Sequence, residues 1–273
     1  MYCLKVLLLQ TGNRNMNNIK YILILLMISC VFLQGRDHPD PEPAVELPYI
    51  PGETLHYSLH YGWINGGLAS LRISELDVSG RKIHHAKAIV KTIGITDKLY
   101  KVRDVYQSYI DVKTGLPLKS IRDISESGYK WYNEVKFRHS ENKVISTRSG
   151  EHEVPDSILD VLSALYYARR ELLNNLKIGD NVRINTFFDD KLYPMTIRYL
   201  GKEKVKTKFG KILCLKFLPV VEVGRVFDTE DDLTIWITAD KNRIPIRIQM
   251  DLFLGSVKCD LISFSDLKYG LSE

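Results

Sequence analysis

Any chemistry in this chain has to come from its histidines, its clustered carboxylates or its aromatic rings. His56 and His60 stand four apart in an alternating segment, which puts both on one face of a strand. At strand rise that spacing is roughly 13 Å, too far for the pair to share one metal ion. His84 or His85, on a strand that could neighbour them, would approach only one of the two, so no metal site is expected. Asp228, Glu230, Asp231 and Asp232 cluster between two strand patterns, without the glycine and ligand spacing of a calcium loop. They read as a solvated hairpin loop, and Asp189 with Asp190 reads the same way. GxSxG, HExxH, CxxC and a glycine-rich phosphate loop are all missing, so the pattern calls for no cofactor and argues against catalysis.

The aromatic residues say more. Fifteen tyrosines, nine phenylalanines and three tryptophans are spread over alternating segments, and the one from Tyr129 to Ser140 carries rings on both faces. Rings on a concave sheet can stack on sugars or line a trough for acyl chains. The plainer alternative is burial on both sides by a helix and loops. His56, His60, Tyr106, Trp131 and Tyr132 are the candidate ligand-binding residues on this reading.

The elements that must position them are mostly strands. Leu55, Tyr57, Leu59, Tyr61 and Trp63 alternate with Thr54, His56, Ser58 and His60, the signature of a half-buried strand. Asn65, Gly66 and Gly67 read as a turn, and β patterns follow over 68–79, 83–93, 104–111, 117–127, 129–140 and 143–147. One segment changes period. In PDSILDVLSALYYARRELLNNL, from Pro155, residues Ile158, Val161, Leu162, Leu165, Leu172 and Leu176 recur at helical spacing, with Asp156 or Ser157 as N-cap. Strand patterns resume over 182–188, 193–205, 211–223, 233–239, 244–250 and 256–265. The expected fold is mainly β: a large curved antiparallel sheet or incomplete barrel of about twelve strands, with one amphipathic helix covering part of it. A sheet of that size must curl, close or split to protect its edges.

The first 51 residues read as apparatus for export. Lys20 precedes a thirteen-residue apolar run, Tyr21–Leu33, which is too short to span a bilayer and is typical of a secretory signal. Met16 is a candidate true start, with residues 1–15 an upstream extension. Two processing routes compete: cleavage after Gly35, or lipidation of Cys30, which follows a small serine but has apolar Val31–Leu33 after it. Residues 36–51 hold half of the ten prolines and form an extended leader or spacer. Residues 52–273 make a single β-rich domain. Without the three cations of residues 1–35 the formal charge of +5 falls to +2, too little for a nucleic-acid surface. Cys214 and Cys259, the cysteines outside the leader, are expected to be free buried thiols.

Four pieces of the chain resemble an uncharacterised family of exported bacterial β proteins, a domain of unknown function. They are GETLHYSLHYGWINGGLASLRI (Gly52–Ile73), DVYQSYIDVKTGLP, DSILDVLSALYYARR, and ITADKNRIPIRIQ followed by Gly255. The resemblance implies a curved antiparallel fold like that of capsule-assembly outer-membrane lipoproteins, and it brings no catalytic residues. Gly52 and Glu53 also have a local reading, in which Gly52 turns the chain and Glu53 begins the strand.

The expectation is therefore a non-catalytic periplasmic protein, or a lipoprotein of the outer membrane, in a Gram-negative envelope. It would bind a lipid or glycan ligand or an envelope protein on its curved sheet. The rivals are an assembly factor with no small ligand, and a glycan or lipid hydrolase that would need a histidine and an acid converging in one cleft.

Overall fold

The computed structural model describes residues 46–171, 176–220, 233–252 and 255–272. The signal segment, Cys30, the leader up to residue 45 and the acidic cluster at 228–232 lie outside these. Fourteen strands form one antiparallel sheet: β1 (Thr54–Tyr61), β2 (Ile64–Val78), β3 (Arg81–Thr92), β4 (Arg103–Asp111), β5 (Pro117–Glu126), β6 (Tyr129–Arg138), β7 (Lys143–Ser146), β8 (Gly150–Glu153), β9 (Asn181–Phe188), β10 (Lys191–Thr207), β11 (Gly210–Val220), β12 (Leu233–Thr238), β13 (Pro245–Leu252) and β14 (Gly255–Ser265). Among the described residues, two α-helices join them, α1 (Gly94–Leu99) and α2 (Val161–Glu171). No described helix is long and apolar enough to cross a membrane.

The strand order is β8-β7-β6-β5-β4-β3-β2-β1-β14-β13-β12-β11-β10-β9. Two meanders therefore run outward from a central β1–β14 pair, and the sheet does not close by backbone pairing. Its inner face carries Leu55, Tyr57 and Leu59 of β1, with Leu261 opposite Tyr57 and Cys259 opposite Leu59. Ala69 of β2 and Ala86 and Ala88 of β3 are buried and small, which lets α2 lie close against the sheet. α2 fills the inside of the curve and is buried nearly all round from Val161 to Arg169. One gap beside it, between Tyr57, Ala69, Leu71, Ala88, Leu165 and Ile248, is narrow and apolar.

The helix starts three to four residues later than expected, at Val161. Residues 158–160 stay extended because Leu159 pairs with β9: its N–H donates to Asn185 O at 3.0 Å and its carbonyl accepts from Phe187 N at 2.8 Å. Asp160, rather than Asp156 or Ser157, is the cap, accepting from the N–H groups of Leu162 and Ser163 at 2.9 and 3.2 Å. Trp63 also departs from expectation. It is a turn residue between paired Tyr61 and Ile64 and is 92% exposed.

The edge strands β8 and β9 come together through side chains. Val135, Phe137, Val144, Val154, Ile158 and Phe187 form a second small core, and the His152 ring lies 5.1 Å from that of Phe187. The 154–160 segment, which covers β9, thus seals the seam of an incomplete barrel.

Both described cysteines are free and buried. Burial pushes the Cys214 thiol up to about 12 and that of Cys259 higher still, and a buried thiol is inert because the thiolate is the nucleophile. Neither should be alkylated by iodoacetamide in the folded protein at pH 8. Both should react in urea, as read by peptide mass mapping.

Candidate functional site

Cross-strand register assembles the site. Tyr106 of β4 pairs with Arg122 of β5, which pairs with Asn133 of β6, so the three stand in one row on the inner face. One step along, Ile124 pairs with Trp131. The Arg122 guanidinium carbon lies 4.0 Å from the centre of the Phe188 ring, 4.3 Å from Trp131 and 6.0 Å from Tyr106. A guanidinium boxed by three rings is held by cation–π attraction and by stacking. Its Nη1 donates to Asp189 Oδ1 at 3.3 Å, while its Nε is buried without a hydrogen-bond partner. On Trp131 there is a second cation, Arg148, at 5.3 Å. Arg148 is exposed, and no carboxylate among the described residues pairs with it.

These groups border a small, partly open cleft between α2, the inner face of β4–β6 and the β9–β10 turn. Ser120 adds a polar side chain to its lining, whereas the Gln107 side chain turns to the opposite face, where it bonds His85 Nε2 at 3.0 Å. The turn residues Asp189 and Asp190 are left-handed, with φ of 52° and 59°, and they are not merely solvated. Asp190 accepts from Asn133 Nδ2 at 2.8 Å and from Ser146 Oγ at 2.6 Å, pinning the turn to β6 and β7.

Further along the same inner face lie two buried acids, Asp104 and Glu126, 1% and 2% exposed. Glu126 accepts from Tyr100 Oη at 3.2 Å, but its Oε1 has no donor, and Asp104 accepts from Ser125 N at 3.1 Å. Burial first, and then the charge of Glu126, push the Asp104 carboxyl far above the usual carboxylate range. Asp104 is therefore protonated at mildly acidic pH and can donate to Glu126.

Among the five residues singled out by sequence, the structure brings Tyr106 and Trp131 together in the cleft. Tyr132 alternates to the opposite face and is 50% exposed. His56 and His60 lie on the outer face of β1. There His60 Nε2 is 3.1 Å from Asp260 Oδ2, and Arg247 Nε is 2.5 Å from the other oxygen of the same carboxylate. Burial raises the Asp260 carboxyl, but hydrogen bonds from Arg247 and His60 outweigh it and hold the group low. This histidine–acid contact borders neither of the clefts described. His84 and His85 are separated from β1 by β2. His84 is buried beside Tyr49, and His85 stacks on Tyr109. Arg122, Asn133 and Arg148 were not legible as site residues, because only the pairing register places them around one ring.

Residues 56–262 match the family model described as protein of unknown function, DUF3108. The chain belongs to that family. The resemblance carried by the four sequence pieces is thus substantiated, for a DUF3108 fold of one large curved sheet. No curated protein matches the chain. Solved structures do. A β-barrel-like protein of the domain of unknown function DUF1849 from Brucella abortus is 10% identical, covers 80% of this chain and 98% of its own, and superposes with a TM-score of 0.52. A candidate lipoprotein from Parabacteroides distasonis, 9% identical over 80% of this chain and 98% of its own, gives 0.36. A DUF1089 family protein from Pseudomonas aeruginosa, 10% identical over 77% and 95%, gives 0.30. At these identities the likeness concerns the fold alone, and only the first superposition carries it.

Proposed function

We propose that this DUF3108 protein is an exported, non-catalytic envelope protein that binds an acidic glycan in the Arg122 cleft. The observation that carries the reading is Arg122 itself. It is a guanidinium boxed by Trp131, Phe188 and Tyr106 whose Nε lacks an acceptor, with a second arginine on the same tryptophan. A carboxylate or sulfate seated between Arg122 and Arg148 would supply that acceptor through charge-assisted bonds. Ser120 offers a hydrogen bond to a sugar hydroxyl. An acyl chain fits this molecule less well, because α2 fills the inside of the sheet. The hydrolase reading lacks a histidine in the cleft among the described residues.

The test is calorimetric titration with oligogalacturonate, using neutral maltohexaose as control. Binding of the acidic oligosaccharide alone, weakened roughly tenfold or more by Arg148→Ala, is the expected result. Arg148 is exposed, so that variant leaves the fold intact. Equal binding of both sugars, or none, would overturn the proposal. The filled interior favours a second reading, an assembly factor without a small ligand. That reading gains if the protein leaves its host's envelope with no non-covalent mass in native mass spectrometry.

A further inference from the structure

We infer that the end of the sheet bearing the β1–β2 turn and α1 docks on an anionic lipid surface. Trp63 is 92% exposed at the tip of its hairpin, and Ile95 and Leu99, one turn apart on α1, are 61% and 58% exposed. α1 buries none of its residues, so packing does not explain its apolar side chains. It sits beside the start of β2, where Gly66 accepts a hydrogen bond from Ile93 N at 3.0 Å and an added Cβ on Gly66 would meet Thr96 Oγ1 at 3.0 Å. The three apolar residues therefore share one rim. Isolated exposed leucines are ordinary, but a tryptophan and two aliphatics together on one rim mark a contact surface.

Charge decides among occupants. Lys91, Lys98, Lys101 and Lys130 are exposed around this rim. Among the described residues, the acids beside α1 are already engaged: Asp97 is 2.6 Å from Arg103, and Asp104 and Glu126 are buried; Asp251, farther along this end on β13, accepts from Gln249 Nε2 at 2.9 Å. An indole and aliphatic groups flanked by lysines match the boundary between acyl chains and negatively charged headgroups, where tryptophan anchors and each lysine adds attraction. The inference concerns a different end of the molecule from the Arg122 cleft and stands without the glycan reading.

The test uses the mature protein as its host exports it, mixed with vesicles of phosphatidylglycerol and phosphatidylcholine containing brominated acyl chains. Trp131 and Trp236 are at least partly buried, so the difference in emission between wild type and Trp63→Phe isolates Trp63 even if the leader also anchors the protein. The expected result is quenching of the Trp63 component, abolished in pure phosphatidylcholine or at high salt. The Ile95→Ser/Leu99→Ser variant should weaken the quenching roughly tenfold or more. Unquenched Trp63 emission would overturn the inference, as would quenching indifferent to headgroup charge. Sedimentation showing a dimer that Trp63→Ser dissolves would assign the rim to a second copy of the chain instead.

Discussion

Replacing Arg169 with methionine is expected to cost about 3–5 kcal/mol of stability, a large share of what a domain of this size possesses. Arg169 projects from α2 and is fully buried, as is Glu53 at the start of β1. The pair is bidentate, with Nη1–Oε1 at 2.6 Å and Nη2–Oε2 at 2.8 Å. Arg169 also donates to the carbonyl of Asn242 at 2.9 and 3.2 Å, and the rings of Tyr49 and Tyr166 cover it. Four of the five guanidinium N–H groups are thereby used, and the charge of Glu53 holds the group protonated against the cost of burial. Removing either partner leaves an ion in a dry core, which is far worse than removing both. Arg169→Met and Glu53→Gln should each shift the urea midpoint sharply downward. The double variant Glu53→Leu/Arg169→Met should recover much of the loss, because a well-packed apolar pair often equals or exceeds a buried ion pair. If the single variants unfold at the wild-type midpoint, the node contributes nothing to holding α2 in the sheet.

The second large effect concerns pH. Asp104 titrates near the ordinary aspartate value of about 3.9 in the unfolded chain and at about 7 in the folded protein. The folded state therefore binds the proton more tightly. The stabilisation is fully present below about pH 4 and is lost as pH rises through about 7, up to roughly 4 kcal/mol by pH 8. Burial lowers the basicity of His84 and His85, which acts in the opposite sense, since their contribution is lost as pH falls. The difference between wild type and Asp104→Asn isolates the carboxyl. Asparagine still donates to Glu126 and cannot ionise. The variant should melt near wild type at pH 5 and clearly above it at pH 8, and equal melting temperatures at both would refute the shared-proton arrangement.

The strands were legible because alternation between buried and exposed residues is a local signal, and β2 to β6 lie within a few residues of their expected bounds. β8 was not, since Gly150–Glu153 is polar and largely exposed and has no apolar face to announce it. α1 was missed for a similar reason, being six residues long with none buried. The role of Glu53 escaped because its partner is 116 positions away. A carboxylate after a turn glycine looks like any strand start until the helix folds over it. Gly52 does take the left-handed turn expected of it, at φ 107°. Three of the pieces that carried the family resemblance supply this node: Glu53 from the first, Arg169 from the helix and Asn242 from the ADKNRIP stretch. In the cleft, the aromatic half could be read from residue types. The arginine half depended on register, which one sequence does not disclose.

The pairing of β1 with β14 sets an order of events during synthesis. Among the described strands β1 is the first to emerge, and one of its two edges is completed by β14, the last of them, with Thr54 opposite Ser265. Until β14 has been made, the N-terminal meander carries an open, apolar-backed margin that can pair with other strands. A nascent chain with this topology depends on being kept apart from its neighbours. Truncation within β14 should leave not a slightly shortened protein but two unjoined half-sheets.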